Sequence, residues 1–273
     1  MDTIKNLSRK SCEIRKNLIK IIYMGKSGHT GGALSSVDIL TTLFYSTMKY
    51  NPSNPNWSDR DRFILSKGHS VEGYYCILSD LGFFSKEECE TFSQYGSRLT
   101  GHPNNMLPGV EMNTGALGHG LSVSVGMALA GKMSGKAYRV FTLMGDGELA
   151  EGSIWEAAMS AAHYRLDNLI GIVDRNGLQI SGETEKVMAL ENLTQKWQSF
   201  GWAVRSVDGH NFDQMRESFR AAPFYEGSPN LIIANTIKGK GVSYMENAAQ
   251  WHHGAPTEEQ YELALKELSG GLS

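Results

Sequence analysis

Residues 143–152 read LMGDGELAEG. An aspartate stands between two glycines directly after the apolar run YRVFTLM at 138–144, and Glu148 and Glu151 follow it. Glycine after a strand clears the backbone for close approach, and what approaches is often a phosphate. A carboxylate repels a phosphate, so Asp146 is in the wrong company unless a divalent cation stands between them. Mg²⁺ is held by one or two protein oxygens together with phosphates and waters. Asp146 supplies one such oxygen. DRNGLQISG at 174–182 offers more: Asn176 lies 30 residues beyond Asp146, the length of a strand–helix–strand unit, which makes the two loops neighbours. Asn176 brings a neutral carbonyl suited to a site rich in negative charge, and Gly177 permits a bend that turns the Leu178 backbone carbonyl inward. GDG alone is weak evidence, because Asp-Gly is also a turn signal. GDG followed at this spacing by an asparagine at a strand end is much more specific.

Elsewhere along the chain, β-branched apolar runs recur at 62–65, 138–144, 168–174, 202–208 and 230–236. They are short and lack polar alternation, as strands buried on both faces do. Helical patterns fill the intervals at 35–48, 70–81, 120–133, 153–164, 189–200 and 211–221, with a helical tail at 257–268. Strand–helix alternation predicts an α/β fold, a parallel sheet with helices on both faces. No repeat, low-complexity segment or composition shift divides the chain, so 1–273 reads as a single domain. In such sheets ligands bind at the carboxyl ends of strands. His69, Asp146, Asn176 and Lys238 each follow a different strand.

The bulk numbers exclude more than they assign. With 41% apolar and 20% charged residues, the 273-residue chain has an ordinary globular composition. A net charge of −3 and no basic stripe argue against nucleic acid. Cys12, Cys76 and Cys89 are too few and too scattered for a disulfide framework or a metal site, which points to reduced thiols and a cytoplasmic setting. No signal peptide is visible, and no apolar run approaches the ~20 residues that span a bilayer. The basic amphipathic pattern of the first 29 residues reads as a helix with a packed face rather than a membrane anchor.

Five segments, in order, resemble the transketolase family: SGHTGGALSS at 27–36, RDRFILSKGHS at 60–70, GHPNNMLPGVEMNTGALGHG at 101–120, GDGELAEGSIWEA at 145–157, and TIKGKG with WHHGAP at 236–256. The resemblance covers nearly the whole chain but only the diphosphate-binding portion of a transketolase. It implies the thiamine diphosphate-binding fold and the N-terminal subunit of a split transketolase. Such an enzyme transfers a two-carbon ketol unit from a ketose, by default a sugar phosphate, to an aldose. The N-terminal chain is active only with a C-terminal subunit carrying the pyrimidine-binding domain, as an α2β2 heterotetramer.

Roles follow by resemblance. Asp146, Asn176 and the Leu178 carbonyl would hold Mg²⁺, or Ca²⁺ or Mn²⁺ in its place. Gly147 N–H, His69, Lys238 and one of His252 and His253 would reach the diphosphate, with His252 preferred. Gly115, Ala116 and Leu117 would lie against the cofactor rings. His29, His69, His102 and His252 would face the reacting carbon, where imidazole donates or accepts protons near neutral pH. Glu151 and Glu156 match interface carboxylates of a proton relay, although acidic residues at a helix start also suit the helix dipole. Arg175, Ala116 and His119 stand where relatives vary. Two rivals remain: the alpha-type subunit of a 2-oxo acid dehydrogenase-like enzyme, which the three histidine motifs fit poorly, and a non-catalytic scaffold protein.

Overall fold

The computed structural model describes residues 2–190 and 192–270. In chain order the main elements are α1 (Asp2–Gly25), α2 (Thr30–Ser46), β1 (Arg62–Leu65), α3 (Val71–Asp80), α4 (Lys86–Cys89), α5 (His119–Met133), β2 (Val140–Gly145), α6 (Gly152–His163) and β3 (Leu169–Arg175). There follow the two-residue strands β4 (Leu178–Gln179) and β5 (Gly182–Glu183), then α7 (Thr184–Val187), α8 (Leu193–Ser199), β6 (Ala203–Asp208), α9 (Phe212–Ala221), β7 (Asn230–Asn235) and α10 (Glu258–Gly270). Five strands form one sheet in the order β1-β2-β3-β7-β6, every pairing parallel. β4 and β5 make a separate antiparallel hairpin.

The continuous apolar runs are explained by what covers each face. Phe141, Leu143, Ile170, Ile172 and Ile232 point into a core shared with α1, α2, α3 and α9. Their neighbours Val140, Met144, Leu169, Val173 and Leu231 point into a second core with α5, α6 and α8. Because the side-chain period is two, both halves of every central strand must be apolar. Each buried Leu or Ile is worth about 1.5–3 kcal/mol over leaving it exposed.

All five strands lie within two residues of their predicted spans, and the helices follow. Two differ in a way that bears on the site. α2 starts at Thr30, five residues before the expected 35, because Gly31 and Gly32 are helical. A β-carbon on Gly31 would sit 2.9 Å from the Trp251 carbonyl, and one on Gly32 2.9 Å from Ser70 Oγ. The glycines are there for close packing, not to break a helix. α8 is shorter than the predicted 189–200, since Asn192 caps it, its side chain accepting from Gln195 N. The amphipathic N-terminus is α1, with Ile14, Leu18 and Ile22 buried against α2, α3 and α10. No helix among the described residues is long and apolar enough to cross a membrane. On the other side of the sheet, Val123 and Met133 of α5 and Met159 and Tyr164 at α6 are exposed large side chains.

Candidate active site

The carboxyl ends of β1, β2, β3 and β7 open into a cleft of about 340 Å³. His29, Lys67, His69, Gly115, Leu117, Asp146, Gly147, Glu148, Asn176, Leu178, Lys238 and His252 line it.

Asp146 follows β2 and is 2% exposed. Its Oδ1 accepts from Gly147 N at 2.7 Å, and its Oδ2 from Gly177 N at 2.7 Å and Arg175 Nη1 at 3.2 Å. Burial, and then the charge of Asp174, push its carboxyl up. Asn176 follows β3. Its Nδ2 donates to Asp174 Oδ2 at 3.2 Å, and its Oδ1 accepts from Leu178 N at 3.1 Å. Gly177 has φ +75°, which turns the chain as the sequence requires. The Leu178 carbonyl accepts from Lys238 Nζ at 3.1 Å. Lys238 is 2% exposed, and burial and the nearby Lys67 bring its ammonium down to about 8. Three oxygen donors and a lysine thus converge from three strand ends.

Above them, four histidines gather around His29. Ring centroids lie 5.2 Å away for His69, 5.9 Å for His102, 5.6 Å for His252 and 4.7 Å for His253. Burial first, and then neighbouring rings, lower His29 to about 3. Burial and Lys238 lower His252 to about 4, and burial also lowers His69 and His102. The rings of His29, His69, His102 and His252 are neutral at physiological pH and free to donate or accept. His252 Nδ1 faces Lys238 Nζ at 3.1 Å, so it accepts from the ammonium and its own proton resides on Nε2. His253 is exposed and lies outside the cleft lining. Gly115, φ +145°, packs against the His102 ring, where a β-carbon would come within 2.9 Å.

Other predicted residues sit apart from the cleft or are otherwise engaged. Ala116 is half-buried and outside the lining, and His119 is exposed, with Nδ1 at 3.1 Å from the Leu117 carbonyl. Glu151 and Glu156 are exposed on α6 or at its start, away from the cleft lining. The Gly147 N–H is directed at Asp146. Arg175 bridges Asp146 and Glu185.

Three buried groups had no sequence signal. Lys67 donates to the Gly32 carbonyl at 3.0 Å and pairs with Asp174. Asp174, fully buried, also accepts from Ser35 at 2.6 Å and from Thr236; against the effect of burial, Lys67 holds its carboxyl low. Glu148 accepts from Ser66, Gly118 N at 2.9 Å and Gly145 N at 3.1 Å. Each ends or follows a strand, where charged residues read from sequence alone as loop solvent contacts.

The donor chemistry tests the metal expectation. Among the described residues no group of three His, Cys, Asp or Glu side chains is placed to hold a metal. Asp146, Asn176 Oδ1 and the Leu178 carbonyl carry one charge among three hard oxygens. That set suits Mg²⁺ when an anionic ligand such as a diphosphate completes it.

Comparison with known proteins agrees. Residues 8–271 match the family described as transketolase, thiamine diphosphate binding domain. One of the two chains of an apulose-4-phosphate transketolase from Phocaeicola vulgatus is 50% identical over 266 residues, which cover 97% of this chain and 95% of that one. A 6-deoxy-6-sulfo-D-fructose transketolase subunit from a Clostridium species is 42% identical, over 96% of each chain. The transketolase of Leishmania mexicana superposes with a TM-score of 0.91 at 31% identity, covering 97% of this chain but 41% of its own. This chain therefore spans about two fifths of that solved transketolase and nearly the whole of the subunit-sized relatives. It belongs to the transketolase family.

Proposed function

We propose that this chain is the cofactor-holding half of a two-chain transketolase, moving a two-carbon ketol unit from a ketose phosphate to an aldose. The convergence of Asp146, Asn176, the Leu178 carbonyl and Lys238 from three strand ends carries this reading. Asp146, Asn176 Oδ1 and Leu178 O hold Mg²⁺, while Lys238, His69 and the Nε2–H of His252 donate to the diphosphate. His252 is preferred to His253 because it contacts Lys238 within the cleft. Gly115 and Leu117 form the wall against the cofactor rings. Bound thiamine diphosphate supplies a thiazolium carbon that serves as nucleophile and electron sink. The neutral rings of His29, His69 and His102 bind sugar hydroxyls and carry protons at their ring nitrogens. A dry, polar cleft strengthens each of these contacts.

A second chain completes the site. The exposed Val123, Met133, Met159 and Tyr164 form an apolar face of the kind that partners cover. The apulose-4-phosphate relatives carry names that make each of them one subunit of a transketolase, and they are of nearly the same length as this chain. An α2β2 assembly places two sites at such faces, with Glu151 and Glu156 near the junction. The substrate is a ketose phosphate by likeness to those relatives.

Asp146→Ala should weaken thiamine diphosphate binding in Mg²⁺ by about a hundredfold, the upper end of what disturbing a metal site costs. Calorimetry on the full chain with its partner subunit measures it, and unchanged affinity would refute the metal assignment. The chain alone should show no ketol transfer, with activity appearing on addition of the partner. Robust turnover by the single chain would overturn the two-chain reading.

A further inference from the structure

The loop carrying Lys238 is held from behind by a buried charged network that the cofactor reading does not use. Asp38 of α2 is 5% exposed and Arg15 of α1 is 7% exposed. Arg15 grips Asp38 with both terminal nitrogens, Nη1 to Oδ1 and Nη2 to Oδ2 at 2.8 Å each, and Ser11 donates to the same carboxylate. Against the upward push of burial, Arg15 and His210 hold the Asp38 carboxyl well below the usual carboxylate range.

Two contacts leave this network, and they bracket Lys238. His210 follows β6; its Nδ1 lies 2.7 Å from Asp38 Oδ2, and its Nε2 accepts from Ile237 N at 2.8 Å. A backbone N–H has only a hydrogen to give, so Nε2 must be the acceptor and Nδ1 carries the proton toward Asp38. Arg15 Nε donates to the Lys240 carbonyl at 3.0 Å. The loop is thus fixed at 237 and at 240, with the lysine between. It has little other freedom. Gly239 N donates to the Gly31 carbonyl at 2.9 Å. Gly239 itself has φ +80°, and a β-carbon there would lie 2.2 Å from the Met245 carbonyl oxygen.

We infer that His210, oriented by Asp38 and Arg15, is a positioning residue that sets the Ile237–Lys240 loop and thereby aims the Lys238 ammonium at the Leu178 carbonyl and His252. The network acts as a chain of polarised contacts: the carboxylate fixes the imidazole tautomer, and the tautomer decides whether the loop amide has an acceptor. An apolar core at this place would fill space but leave the amide unpaired.

The inference rests on Lys238 serving the diphosphate, and the test separates the two. His210→Gln can keep an acceptor for Ile237 N–H, whereas His210→Asn keeps a donor toward Asp38 but is too short to reach the amide. In the full chain without cofactor, hydrogen exchange at the amides of 237–241 should quicken about tenfold or more in H210N and stay near wild type in H210Q, as loss of one buried hydrogen bond predicts. With Mg²⁺ and the partner chain present, the Kd for thiamine diphosphate should rise about tenfold in H210N, and Gln should restore it. Equal loop exchange in H210N and H210Q overturns the inference, whether both match wild type or both are loosened. Lys238→Gln is measured alongside. If it leaves cofactor affinity unchanged, the diphosphate role of Lys238 fails while the loop-exchange result still decides the role of His210.

Discussion

α2 and α5 are both rich in small and apolar residues, yet they end up in opposite circumstances. Fifteen of the 17 residues of α2 are buried, but only six of the 15 in α5. α2 is enclosed by α1, α3 and α9 and carries the site's rear support in Asp38 and Ser35. α5 turns one side to the sheet and leaves Val123, Gly126, Ala130 and Met133 outside the core. A helix that is apolar all round belongs in an interior. For α2 this chain provides that interior; for α5 a partner must. The difference separates residues that keep the fold from residues that complete the enzyme.

The largest effect should come from the enclosed helix. Leu40 is fully buried, and Leu40→Ala should cost about 3 kcal/mol in denaturant unfolding of the chain alone. A cost below that of a surface change would mean that α2 is not the interior it looks to be. Charge within the same layer gives a second test. Glu72 of α3 is fully buried, accepts from His29 N at 2.7 Å, and is raised by burial from 4.5 to about 7. A raised acid favours the folded state below its unfolded value and loses that advantage as pH climbs through about 7. Stability measured from pH 5 to 8 should therefore decline by on the order of 2 kcal/mol more in wild type than in Glu72→Gln. The buried neutral histidines slope the opposite way in both proteins, so the difference isolates Glu72. Identical slopes would show that Glu72 is ionised throughout. On the open layer, Met159→Asp should change unfolding by less than about 0.5 kcal/mol, yet weaken association with the partner chain at least about tenfold in sedimentation. Unimpaired assembly would remove this face from the interface.

The same contrast explains what was legible in the sequence. The strands could be read because burial on both faces demands unbroken β-branched runs, and the rule of strand ends then located His69, Asp146, Asn176 and Lys238. The start of α2 could not, because Gly31 and Gly32 have low helical preference and their reason is spatial: the approach of Trp251 and Ser70. Asp174 and Lys67 were invisible for a related cause. Only the register that sets Gly145 beside Asp174, and Asp174 beside Ala234, shows that this carboxylate lies in the middle of the sheet rather than at its rim. His210 in DGH has the signature of a loop residue, since neither Asp38 nor Ile237 is near it in sequence. Arg175 was noticed as a departure, but its pairing with Asp146 needed coordinates.

The backbone at Gly239 has a consequence for how this protein can change over time. Its φ of +80° disfavours every L side chain, and the Met245 carbonyl 2.2 Å from a would-be β-carbon leaves no room for even a methyl group. The two prohibitions are independent, so no single compensating substitution lifts both. Gly177 and Gly182 share the dihedral restriction but have nothing within 4 Å, and so tolerate exploration at a modest conformational cost. Randomised libraries of this chain should therefore yield diversity in the 177–183 hairpin and almost none at 239. New substrate preferences would have to be acquired around a lysine loop that stays fixed.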